Sequence, residues 1–173
     1  EEVKIENIIP HHLESLTSKL AELGVDMKID IDSITIHGGL DNLHPIDIKT
    51  LPYPGFATDI QQPLTALLTQ AQGQSIVTET IYTERFKHCF ELEKMGAKIN
   101  VMTPSSFING PTPLSGAEVS ATDLRCGACL VIAGLIADGV TTIRNIYHIE
   151  RGYEHIVEKL TAIGAQIWRE TFD

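Results

Sequence analysis

Leu13, Leu16, Leu20 and Leu23 recur at three- and four-residue steps between polar residues, and Gly24 follows. That spacing predicts an amphipathic helix from about His11 to Leu23, stopped where a glycine can take the left-handed conformation. Val25, Met27, Ile29 and Ile31 then alternate with Asp26, Lys28, Asp30 and Asp32, the pattern of a half-buried strand. Ser33 to His37 reads as its hairpin partner, closed by Gly38-Gly39. The helix, glycine and strand order returns twice. Glu84 to Met95 ends at Gly96 before a strand over Ala97 to Met102. Tyr153, Ile156, Leu160 and Ile163 end at Gly164 before a strand over Ala165 to Arg169. The three glycines are spaced more widely than the roughly 20- to 50-residue units of common solenoids, which suits a larger repeating unit of two helices and several strands.

A second pattern occurs twice. Ala57-Thr58-Asp59-Ile60 and Ala121-Thr122-Asp123-Leu124 each lead into a helical stretch, a glycine, a β-rich run and an arginine. In the first copy a helix begins near Pro63, carries Leu64, Leu67, Leu68 and Ala71, and stops at Gly73, which leaves Asp59 in the turn ahead of it. Ser75 to Tyr82 is its strand and Arg85 follows. In the second copy Ser120 or Thr122 caps a helix running to Asp138, with Asp123 in the first turn, Val140 to Ile146 as the strand, and Arg151 beyond. Asp47 to Leu51 reads as a short strand before the rigid turn Pro52-Tyr53-Pro54-Gly55. Thr103 to Gly116, rich in Pro, Ser, Gly and Asn, reads as an irregular connection with one short strand at its middle. The chain thus holds three copies of one half-unit and two of the other, and the missing half is expected before Glu1 or after Asp173.

The length of 173 residues suits one domain, 1–173, with a real core. A net charge of −10 argues against nucleic acid or an anionic membrane as partner, while leaving room for an anionic small substrate held by a few placed arginines. No run approaches the roughly 20 apolar residues of a membrane span, and no basic-then-apolar leader begins the chain, so the expected location is the cytoplasm. Cys126 and Cys129 have C-x-x-C spacing, but no second pair completes a four-ligand zinc set, and they read as small residues packed in a helix. The seven histidines show no ligand spacing.

Candidate chemistry gathers at element ends: Asp59, Arg85, Asp123, Arg125 and Arg151. For each aspartate a helix-capping role competes with a functional one, and for each arginine a structural ion pair does. Asp123 and Arg125, two residues apart, diverge by roughly 200° in a helix, so they cannot both serve the same end. Arginines beside helix N-termini make a receiver for phosphate or carboxylate.

The ordered motifs Tyr53-Pro54-Gly55-Phe56-Ala57-Thr58-Asp59-Ile60-Gln61, Glu79-Thr80-Ile81-Tyr82 with Arg85-Phe86, Gly116 to Arg125, and Arg151-Gly152-Tyr153-Glu154 resemble the UDP-N-acetylglucosamine enolpyruvyl transferase family over nearly the whole chain. The resemblance implies an α/β (α+β) fold, a pseudo-threefold repeat of βαβαββ units with helices inside and sheets outside, here with an incomplete third unit. It implies that the chain corresponds to most of the C-terminal half of a two-domain enzyme. That enzyme moves the enolpyruvyl group of phosphoenolpyruvate to the 3-hydroxyl of UDP-N-acetylglucosamine, with release of phosphate, in peptidoglycan synthesis. By the same resemblance Asp59 accepts the hydroxyl proton, Ile81 offers the nucleotide sugar a backbone contact, Arg151 closes on phosphoenolpyruvate, and Arg85, Asp123 and Arg125 line the cleft.

The family's loop with a reactive cysteine, and its phosphoenolpyruvate-binding Lys and Arg, belong to the N-terminal domain, the expected partner. None of Cys89, Cys126 and Cys129 lies in that motif. The chain alone is therefore expected to be inactive. Two other readings stand beside this one: a domain of the related shikimate-pathway enolpyruvyl transferase, and a non-catalytic binding module of the same fold.

Overall fold

The computed structural model describes residues 2–171; Glu1, Phe172 and Asp173, the ends of the expected domain, lie outside the described residues. One βαβαββ unit is complete. It runs β4 (Asp47–Lys49), α2 (Thr58–Leu68), β5 (Gly73–Thr78), α3 (Lys87–Lys94), β6 (Lys98–Met102) and β7 (Ser105–Gly110). Its sheet has the order β4-β5-β7-β6, with β4 parallel to β5 and both β5 and β6 antiparallel to β7. Before it stand the last four elements of the same plan: β1 (Glu2–Glu6), α1 (Glu14–Leu23, entered through a 3₁₀ turn at Pro10–Leu13), β2 (Met27–Ile29) and β3 (Ser33–His37). Their sheet order β1-β3-β2 reproduces β5-β7-β6. After the complete unit comes its opening part: β8 (Glu118–Ser120), α4 (Leu124–Ile136), β9 (Thr142–Arg144), a short α5 (Tyr147–Glu150) and α6 (Ile156–Ala162), with β8 parallel to β9. The expected threefold repeat is present.

The repeat is most regular where sequence demands it. α1, α3 and α6 end in the same hydrogen bonds: Val25 N–H to Leu20 O at 2.9 Å, Ala97 N–H to Leu92 O at 3.1 Å, and Ala165 N–H to Leu160 O at 3.0 Å. Gly24, Gly96 and Gly164 stand between each pair at φ of 95°, 99° and 101°, where a Cβ would strain the backbone.

Helices α2 and α4 pack directly on each other in the interior. α2 buries Leu64, Ala66 and Leu68, and α4 buries Cys126, Cys129, Leu130 and Ala133, all in one hydrophobic cluster. The cysteines are core residues, as expected. Burial pushes the Cys126 and Cys129 thiols up, Cys129 the further, and pushes the Cys89 thiol up to about 12, so none is a ready nucleophile.

Four expectations need correction. α2 starts five residues before Pro63, so Asp59 lies in its first turn and Pro63 inside it, where the missing N–H is tolerated in a helix held by burial. Thr103 to Gly116 is not the irregular connection expected: the one short strand foreseen within it is present as β7, but that strand is six residues long and central in its sheet. Its alternation is carried by buried Ser106 and Ile108 rather than by a run of apolar residues. Ala165 to Arg169 forms no strand. The equivalent segments β2 and β6 pair with the strand that follows each of them, and no return strand follows Arg169 among the described residues. Tyr153 lies ahead of α6 rather than in it.

Candidate active site

The N-termini of α2 and α4 meet at Asp59. Its Oδ1 accepts from Arg85 Nη1 at 3.0 Å and its Oδ2 from Arg125 Nη2 at 2.9 Å. Arg85 reaches it from the loop after β5, lying over the Tyr82 ring at 4.2 Å and donating also to Thr58 Oγ1 at 3.2 Å. Arg125, in the first turn of α4, donates its other nitrogen to the Tyr153 hydroxyl at 3.1 Å. Partial burial pushes the Asp59 carboxyl up, but the hydrogen bonds and charges of Arg125 and Arg85 outweigh this and hold it below the ordinary value. The Asp59 side chain remains 50% exposed, so the acid is both fixed and reachable.

Asp123 has a different role from Asp59 despite the shared Ala-Thr-Asp. It is the N-cap of α4, its Oδ1 accepting from the backbone N–H groups of Arg125 and Cys126, both at 2.9 Å. Neither Ser120 nor Thr122 caps that helix. Arg151 ends α5 on the exposed surface and makes no side-chain hydrogen bond or ion pair among the described residues. Ile81 is 39% exposed, and its N–H is given to Glu79 Oε1 at 2.9 Å. The structure thus brings Asp59, Arg85 and Arg125 together, sets Asp123 at the base of the same helix end, and leaves Arg151 apart from the ion-pair cluster.

Sequence reasoning missed Thr58, Glu79 and Tyr153. Tyr153 stood at an apolar helical spacing, which hid its hydroxyl. Glu79 stood in a β-branched run, and an acid in such a strand was the available signal. Beneath the cluster His88 is fully buried. Burial pushes its imidazole down to about 3, against a nearby Asp123 that draws it up and with an Arg85 that adds to the depression, so the ring is neutral. A groove of about 870 Å³ between α4, β9, α6 and residues 164–170 touches the cluster through Tyr153, while Asp59 is not among its lining residues.

A carboxylate between two guanidinium groups can receive a proton when an arriving anion competes for those arginines. The same arginines, at the N-terminal ends of α2 and α4, suit a phosphate or carboxylate ligand.

Over residues 1–160 the chain matches the family model described as EPSP synthase (3-phosphoshikimate 1-carboxyvinyltransferase). It is 58% identical over 169 residues to UDP-N-acetylglucosamine 1-carboxyvinyltransferase 2 of Bacillus subtilis, covering 98% of this chain and 39% of that protein. The protein of the same name from Listeria monocytogenes is 57% identical, with 98% and 40% covered. Among solved structures, the enolpyruvyl transferase NikO from Streptomyces tendae superposes with a TM-score of 0.89 at 32% identity, over 95% of this chain and 39% of its own. EPSP synthase from Acinetobacter baumannii gives 0.71 at 19% identity, over 98% and 40%, a likeness of fold alone. The chain spans about 40% of the length of the curated relatives it matches.

Proposed function

The chain belongs to the EPSP synthase (3-phosphoshikimate 1-carboxyvinyltransferase) family, and we propose that it is part of an enzyme transferring the enolpyruvyl group of phosphoenolpyruvate to the 3-hydroxyl of UDP-N-acetylglucosamine. In this reading the hydroxyl oxygen adds to C2 of phosphoenolpyruvate, a proton is taken up at C3, and loss of that proton with phosphate leaves the enol ether. The observation that carries it is Asp59 held between Arg85 and Arg125 at 3.0 and 2.9 Å. An alcohol needs its proton received as it attacks, which is the role of Asp59. The intermediate keeps the charges of phosphate and carboxylate, which Arg85, Arg125 and Arg151 balance. Asp123 contributes by fixing the turn that carries Arg125, and Ile81 by a backbone contact to the acceptor sugar. The remaining length of the protein supplies an N-terminal domain whose closure completes the cleft. The enzyme works in the cytoplasm on a precursor of peptidoglycan, and so serves wall growth, cell shape and division.

The name of the family model favours a second acceptor, shikimate 3-phosphate. Against it stand the 55–58% identities to UDP-N-acetylglucosamine transferases over 98% of the chain. Phosphate release by the full-length protein decides between them. Turnover with UDP-N-acetylglucosamine, falling about 10²- to 10⁴-fold in Asp59→Ala, supports the proposal. Turnover with shikimate 3-phosphate in its place, or an unaffected Asp59→Ala enzyme, overturns it. The isolated 173-residue chain is expected to be inactive.

A further inference from the structure

Glu79 has no exposed surface, yet among the described residues no cation forms an ion pair with its carboxylate. Four donors satisfy it instead: Thr50 Oγ1 at 2.7 Å, Ile81 N–H at 2.9 Å and Tyr82 N–H at 3.0 Å on Oε1, and Thr58 Oγ1 at 2.8 Å on Oε2. The two hydroxyls are themselves committed. Thr50 Oγ1 accepts from the Thr80 N–H at 2.8 Å, and Thr58 Oγ1 accepts from Arg85 Nη1 at 3.2 Å. Each therefore directs its single proton at Glu79, and the carboxylate joins three segments: the end of β4, the first turn of α2 next to Asp59, and the loop from Thr80 to Arg85.

We propose that Glu79 is a positioning residue for the acceptor: it holds the Asp59 turn and the Ile81 loop in one fixed relation, so that the proton-accepting carboxylate faces the hydroxyl of a sugar docked on Ile81. The inference rests on the acceptor reading above. A burial requirement alone would favour an apolar side chain here, because removing a carboxylate from water is costly unless every lone pair is used. The second copy of the repeat supplies a comparison. Counting from Gly73 and Gly139, Asn145 occupies the place of Glu79; it is exposed, at a φ of 59°, and Asp123 of that copy caps its own helix. The copy with the buried acid is the copy whose aspartate faces outward to the two arginines.

Glutamine at this position keeps the volume but presents one acceptor and one donor, so it cannot accept at both ends as Glu79 does. The test uses the full-length protein and steady-state phosphate release with melting temperature recorded alongside. Glu79→Gln is expected to raise KM for UDP-N-acetylglucosamine about tenfold and to lower kcat about tenfold or more, with KM for phosphoenolpyruvate within about twofold. Thr58→Val cuts the link to α2 and leaves the Ile81 and Tyr82 bonds in place; it is expected to lower kcat with little change in the acceptor KM, and it decides the matter if Glu79→Gln does not fold. Parameters within about twofold of wild type in the folded variants overturn the proposal. So does a Glu79→Gln protein whose kcat and melting temperature fall while both KM values stay unchanged, which marks Glu79 as structural only. A wild-type protein that transfers to another acceptor overturns the acceptor reading and this inference together.

Discussion

The two Ala-Thr-Asp segments begin equivalent interior helices and yet end in opposite roles. In the first, α2 starts at Thr58 with no side-chain cap, and Asp59 points to Arg85 and Arg125. In the second, the helix starts later in the motif, and the carboxylate of Asp123 is spent on its own first turn. What differs is the support across the strand. Glu79 draws Thr58 inward by its hydroxyl, whereas the matching residue of the second copy, Asn145, is exposed. The units also differ in closure. The first finishes its sheet with β6 and β7 and buries α3 beneath it, while α6 has no buried residue and the strand expected after it is not formed. The repeated glycine fixes how a helix stops, but the partner layer decides how much of the repeat is buried and which of its acids caps a helix.

The sharpest way to break this comparison is through Leu92 and Leu160, whose carbonyls accept the same C-terminal hydrogen bond in α3 and α6. Leu92 is 0% exposed in the main core, whereas Leu160 is half-buried against a separate small cluster of Ala121, Val131 and Ile149. Leu92→Ala is expected to cost about 2–5 kcal/mol, and Leu160→Ala about 1 kcal/mol, read from the midpoints of urea unfolding. Equal costs would mean that the second unit is as tightly supported as the first.

Two residues into α3 is His88, and the matching position of α6, counted from the shared glycine, is Ile156. A neutral buried histidine links stability to pH. Its value is lowered from 6.5 to about 3 in the folded protein, so the unfolded chain binds the proton first. The stabilisation is whole above pH 6.5 and is lost as the pH falls toward 3, at about 1.4 kcal/mol per unit. His88→Ile, which installs the residue of the second copy, is expected to remove that slope between pH 6.5 and 4.5 in denaturant titrations. An unchanged slope would place the acid sensitivity on other groups.

The glycine-stopped helices were legible because only glycine meets the left-handed turn cheaply, and the same demand recurs at Gly24, Gly96 and Gly164. The site was legible as a set of charged residues at element ends, and three of them do converge. The divergence of Asp59 from Asp123 was not legible, since it depends on a residue brought across the unit by tertiary folding. Of β7 only its presence was legible; its central place in the sheet was not, because Ser106 and Ile108 fill its buried positions in place of a recognisable apolar run. Helix α5 and strand β8, at four and three residues, are too short to impose a period.

The smallest effects separate Arg125 from Arg151. Arg125 joins the two copies through Asp59 and Tyr153, but its guanidinium and the Asp59 carboxylate are partly exposed, at 31% and 50%, so water screens the pair. Arg125→Ala is expected to lower stability by up to about 1 kcal/mol. It also lets the Asp59 carboxyl rise toward its ordinary value, which shrinks the stabilisation that this acid supplies above pH 3.8 and loses below it. Arg151→Ala, with no side-chain partner to abandon among the described residues, is expected to change stability by less than about 0.5 kcal/mol. If Arg151 is nonetheless a ligand for phosphoenolpyruvate in the full-length enzyme, its loss reduces phosphate release while leaving the melting temperature in place. A stability loss equal to that of Arg125→Ala would instead show Arg151 engaged in holding the fold, and would remove the contrast between an anchored acid site and an arginine with no partner among the described residues.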